Sequence, residues 1–131
     1  MRMKLYVAGK YQERDKIRLV FQELQGMGHT ITLDWTNHDI YPNDAIVEKL
    51  GQFANDDVVG VKEADAVILC LINHQEYKGL WVEMGVALGA GKPVFIVGEA
   101  GHACIFTNHK LVTKFKSFQE LYCHLGLPND H

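Results

Sequence analysis

Ala66-Val-Ile-Leu-Cys-Leu-Ile72 is an unbroken run of β-branched and apolar residues. A strand apolar on both faces belongs inside a sheet that is covered on both sides, and such sheets are parallel. Working outward, Asp44 is placed to cap a helix from Ala45 to Glu63, which Gly51 and Gly60 are expected to bend or break. Downstream, Asn73 to Gly79 reads as loop, Leu80 to Ala90 as helix and Pro93 to Val97 as a second buried strand. The amino-terminal part repeats the alternation. Lys4 to Ala8 is a strand ending at Gly9, and Ile17, Val20, Phe21, Leu24 and Met27 recur at helical spacing across residues 12–27. Thr30 to Leu33 is a further strand, followed by polar loop from Asp34 to Pro42. Leu111 to Phe115 is a weaker fifth strand, and Ser117 caps a last helix through about His124.

Strands alternating with helices predict an α/β three-layer sandwich of the flavodoxin or Rossmann-like kind, with a five-stranded parallel sheet in the order 2-1-3-4-5. Its 131 residues suit one domain spanning 1–131. In such a sheet the crevice lies at the carboxyl ends of strands 1 and 3, where the winding reverses. The loop after Gly9, the loop after strand 2 and the segment Asn73 to Gly79 should meet there.

The composition is that of an ordinary globular domain, with 47% apolar and 22% charged residues and a net charge of −3. No basic stretch is long enough to follow a phosphate backbone, which argues against nucleic acid as the partner. No signal peptide or membrane span is visible. Cys70, Cys104 and Cys123 are odd in number and scattered, which fits a reducing, cytoplasmic setting. His102, Cys104 and His109 match no zinc spacing, so no metal is expected. Gly9 is a single glycine rather than a dinucleotide fingerprint, and no cofactor is expected either.

Glu83 is the only charged residue between Lys78 and Lys92, in a helix otherwise apolar nearly all round. Placed in the first turn at the crevice mouth, it is expected to be kept ionised by the helix dipole, as a nucleophile requires. The competing reading is a wet carboxylate favoured at a helix start. Trp35, just after strand 2, is a candidate for stacking on a base, or else a core aromatic. Lys10 is a candidate for phosphate or hydroxyl contact, or a solvated loop residue.

The whole chain resembles the nucleoside 2-deoxyribosyltransferase family and its relatives that hydrolyse deoxynucleoside monophosphates. The resemblance rests on Lys4-Leu-Tyr-Val-Ala-Gly9, on Asn55-Asp-Asp-Val-Val-Gly-Val-Lys-Glu-Ala-Asp-Ala-Val67, and on Glu83-Met-Gly with Gly91-Lys-Pro-Val94. It implies that Glu83 is the nucleophile, that Asp57 assists proton transfer and that Tyr6 touches the nucleophile. Gly9, Lys10, Trp35, Gly79 and Asn108 are the substrate-binding candidates, and the substrate implied is a small nucleoside or nucleotide. The resemblance also implies a homodimer or higher homo-oligomer, with the loop from His102 to His109 reaching a neighbour's pocket. The chain departs from the family at Tyr77, six residues before Glu83, where transferases carry an aspartate in that loop. It also lacks a hydroxyl-rich phosphate loop after strand 1.

The chemistry agrees with the residues. Breaking an N-glycosidic bond builds oxocarbenium character at C1′, which a carboxylate stabilises or traps. The departing base needs a proton, and Asp57 is the candidate donor. Transfer of the sugar to a base and to water share one intermediate. The alternatives are a ribosyl hydrolase of NAD-like ligands and a nucleotide sensor that binds without turnover.

Overall fold

In the computed structural model the described residues are 2–37, 47–72, 78–99 and 104–126. The expected cap at Asp44, the loop residue Tyr77 and His102 lie outside them.

Five strands form one parallel sheet: β1 (Lys4–Ala8), β2 (Thr30–Ile31), β3 (Ala66–Leu71), β4 (Val94–Gly98) and β5 (Val112–Phe115). Their order is β2-β1-β3-β4-β5, as the sequence predicts. Tyr6 stands beside Val67, and Val67 beside Val94, so β1, β3 and β4 are in register at the heart of the sheet. All six residues of β3 are buried, as expected of a strand covered on both faces.

Four helices clothe the sheet: α1 (Arg14–Gly26), α2 (Val47–Glu63), α3 (Lys78–Gly89) and α4 (Phe118–Leu125). Helices α2 and α3 pack on each other over one face. On the other face Tyr122 of α4 hydrogen-bonds Glu23 of α1. Ile17, Val20, Phe21 and Leu24 of α1 are buried, the face that the helical spacing marked out. Ser117 caps α4 by accepting the Glu120 N–H at 3.2 Å, and the Glu120 carboxylate accepts the Lys116 N–H at 2.9 Å. This is close to a reciprocal capping box.

The amino end of the sheet is tied by Asp65. Its carboxylate accepts the Lys4 N–H at 2.8 Å, while its own N–H donates to the Lys4 carbonyl at 2.7 Å. The aspartate at the start of β3 thus clamps β1 to β3.

Three expectations are corrected. Helix α2 runs unbroken through Gly51 and Gly60. Strand β2 has two residues instead of four. Helix α3 begins at Lys78, two residues earlier than expected. The shortness of β2 has a local cause. The Thr32 N–H still donates to Leu5, but the next outward carbonyl of β1, that of Val7, is taken by the Trp35 indole at 2.7 Å. A side chain thus supplies the rung that the departing backbone cannot.

Candidate active site

The third residue of β1 is Tyr6, buried to 1% exposure. Its side chain lies on the face that carries α2 and α3. The hydroxyl is hydrogen-bonded to two carboxylates, Glu83 from α3 and Asp57 from α2. Three elements therefore converge on one phenol. Burial, then the charges of Glu83 and Asp57, push the Tyr6 hydroxyl far above its ordinary range. It remains a proton donor at any physiological pH.

Two hydrogen bonds meeting at one oxygen place the nearest oxygens of the carboxylates within about 6 Å of each other. A single phenol proton serves only one of them at a time. Burial raises the Glu83 carboxyl to about 7, with the charge of Asp57 pushing the same way and the Tyr6 hydrogen bond pulling against both.

This corrects the expectation that the helix dipole keeps Glu83 ionised. Because α3 starts at Lys78, Glu83 is its sixth residue and lies in the second turn. The dipole acts mainly within the first turn, and desolvation outweighs it here.

Gly79 lies one turn before Glu83 on the same side of α3. A Cβ there would be in ordinary van der Waals contact with Glu83 Oε1, at 3.8 Å. Gly9 follows β1 and packs closely on α1. A Cβ on it would come within 2.7 Å of Ile17 Cδ1 and 3.6 Å of the Trp35 ring. Lys10 is half-buried at the carboxyl end of β1, and its carbonyl accepts the Glu13 N–H at 2.9 Å.

Trp35 is a core residue at 7% exposure. That covers too much of the ring for a base to lie flat on it, and the stacking expectation is corrected accordingly. Asn108 is also placed away from the phenol. It is exposed, accepts from Lys114 Nζ at 3.0 Å and donates to the Ile105 carbonyl at 3.4 Å. Among the described residues it makes no hydrogen bond to Tyr6, Asp57 or Glu83.

An apolar groove of about 580 Å³ runs between α3 and the turn at Ile105–Asn108. Trp81, Met84, Leu88, Cys104, Phe106 and His109 line it, and none of the three converging residues does. Among the described residues no three His, Cys, Asp or Glu side chains converge as metal ligands.

The sequence reading missed the part of Gly60, which it took as a bend. A Cβ on Gly60 would lie 3.0 Å from Cδ2 and Cε2 of Tyr6 and 3.2 Å from Leu33 Cβ. The available signal was its spacing: a glycine three residues after Asp57 stands on the same helix face.

The arrangement can offer a carboxylate that changes charge near neutrality, a second carboxyl group, and a phenol joining them. The fold is shared with a CMP N-glycosidase of Clostridium botulinum, BcmB, at 20% identity and a TM-score of 0.63, over 95% of this chain and 98% of that one. It is shared equally with a 2-deoxyribosyltransferase of Bacillus psychrosaccharolyticus, at 18% identity and a TM-score of 0.66, over 95% and 96%. No curated protein matches the chain significantly in sequence. The family profile for nucleoside 2-deoxyribosyltransferase, however, matches residues 5–116. With most of its length matched, including the three converging residues and all of the sheet but Lys4, the chain belongs to the nucleoside 2-deoxyribosyltransferase family.

Proposed function

We propose that the protein cleaves the N-glycosidic bond of a 2′-deoxynucleoside or its monophosphate and passes the sugar, through an ester on Glu83, to a second base or to water. The observation that carries this reading is the Tyr6 hydroxyl bonded to both Glu83 and Asp57. A carboxyl separation of about 5–5.5 Å suits a nucleophile working beside an acid, whereas about 6.5–9.5 Å leaves room for a water between the pair. A phenol touching both favours the shorter arrangement.

In the first step a Glu83 oxygen attacks C1′ as the C1′–N bond breaks. The electron pair of that bond goes to the base, which takes a proton from Asp57 or from a water that Asp57 holds. Tyr6 holds the other oxygen of Glu83. In the second step water or an incoming base attacks C1′, releasing the Glu83 carboxylate and returning a proton to Asp57. Net retention of configuration follows from the two displacements. Gly79 leaves space for the sugar, and Gly9 and Lys10 border the crevice from the end of β1.

The reading extends to assembly and setting. The apolar groove and the exposed Val82, Ile105 and Phe106 support a homodimer or higher homo-oligomer formed through α3. Asn108, on that same turn, then serves a neighbour's pocket. Three free thiols support a reducing, cytoplasmic setting. No helix among the described residues is long and apolar enough to cross a membrane.

The test is trapping. A 2-fluoro-2-deoxy nucleoside with a good leaving group should slow both steps and let the ester accumulate. Intact-mass spectrometry should show one added sugar, and peptide mapping should place it on Glu83. Turnover with an inverted product and no adduct would replace the ester with direct attack by water. Product analysis over a panel of nucleosides and nucleotides then separates exchange from hydrolysis.

A further inference from the structure

We infer that Gly60 is a positioning residue, whose missing side chain sets the Tyr6 hydroxyl at its bonding distance from Glu83. The inference rests on the reading of Glu83 as the attacking carboxylate and names what aims it.

The geometry leaves little slack. A methyl group on Gly60 would sit 3.0 Å from two carbons of the Tyr6 ring on one side and 3.2 Å from Leu33 Cβ on the other. Neither neighbour yields easily. Tyr6 belongs to a strand paired on both sides and is 1% exposed, and the Leu33 contact is at Cβ, which no rotamer change moves. Nor is α2 free to slide away. The Thr32 hydroxyl donates to the Gly60 carbonyl at 2.8 Å and pins the helix at this residue.

The ring contact lies at Cδ2 and Cε2, between the backbone and the hydroxyl. A forced tilt there swings the hydroxyl, which is farther from the pivot, by a larger distance. Asp57 is one turn earlier on α2, so the approach of this helix to β1 also sets where that carboxylate meets the phenol. Glycine is otherwise a poor residue for this place. In a helix interior alanine is the better residue by intrinsic preference, so the glycine needs a local reason, and the Tyr6 contact supplies it.

The experiment titrates Glu83 directly in protein labelled with ¹³C at glutamate carboxyls, with Glu83→Gln identifying the resonance. The Tyr6 hydrogen bond favours the charged form of Glu83, so weakening it should move the titration to higher pH. Gly60→Ala should raise the Glu83 midpoint by about half a unit or more, within the usual reach of one hydrogen bond. In the Tyr6→Phe background the same substitution should move it no further. Thr32→Val, which removes the hydroxyl that pins the helix and leaves position 60 unchanged, should give a smaller shift in the same direction. A Glu83 midpoint unchanged in Gly60→Ala overturns the inference, as does an equal shift in the Tyr6→Phe background. If Gly60→Ala does not fold, an unchanged midpoint in Thr32→Val overturns it. The titration needs no turnover. Failure of the catalytic reading would appear separately, as full activity in Glu83→Gln.

Discussion

The indole N–H of Trp35 donates to the carbonyl of Val7 at 2.7 Å, and through that bond a tryptophan completes the edge of β1. Phenylalanine at position 35 would keep most of the packing and leave the buried carbonyl without its donor. Such a loss costs roughly 1–3 kcal/mol. Trp35→Phe should therefore lower stability by that amount in chemical denaturation. A midpoint equal to wild type would mean that Val7 finds another partner at no cost.

The pH dependence of activity follows from Glu83. Burial raises its carboxyl to about 7, and in the proposed mechanism only the charged form attacks. With a substrate whose base leaves without protonation, the rate at subsaturating concentration should rise about tenfold per pH unit below neutrality, as expected for one required deprotonation, and level off above about 7. An acid limb centred near the ordinary 4.5 would show that burial does not govern this carboxylate in solution.

The same burial makes Glu83 a cost to the fold. A carboxyl raised from 4.5 to about 7 binds its proton more tightly folded than unfolded. Stability due to this group is greatest below about 4.5, falls as pH rises between the two values, and stays reduced above about 7. Glu83→Gln cannot ionise and escapes that loss. It should abolish turnover and still gain on the order of 1–3 kcal/mol at pH 8, with little gain at pH 4. Thermal melts at the two pH values check the sign, and a variant less stable than wild type at pH 8 contradicts it.

Asp57→Asn removes the proposed proton source but keeps the size of the side chain. The rate should drop by roughly 10²–10⁴-fold, the usual reach of general acid–base catalysis. Substrates whose base leaves without protonation should suffer less. An equal loss across all leaving groups would make Asp57 a structural partner of Tyr6 only.

Assembly through α3 should give at least a dimer by light scattering at micromolar concentration. Phe106 is 55% exposed at the border of the groove, and Phe106→Asp should shift the mass toward the monomer without unfolding the chain. A wild-type monomer under these conditions rules out the dimer.

Much of this was legible in the sequence because single residues carried it. The unbroken Ala66–Ile72 run declared a doubly covered strand, and alternation then pointed to a parallel sheet with helices on both faces. Glu83 stood out as one charge in an apolar helix. What escaped were quantities set by neighbours distant in sequence. The start of α3 at Lys78 moved Glu83 out of reach of the dipole, so burial reversed the expected direction of its charge. Trp35 carries nothing in its local sequence to say that a carbonyl 28 residues away needs its N–H. Gly60 looked like a break because its reason, the Tyr6 ring, belongs to another element.

The short β2 also bears on the tendency of the chain to aggregate. An open strand edge is a template for adding strands from other molecules, the route to fibres and precipitates. At one border the backbone leaves after two residues, and an indole occupies the next acceptor. At the other, β5 is four residues long and carries exposed Thr113 and Lys114, with the Lys114 ammonium bound to Asn108. Both borders are thereby blunted against strand addition.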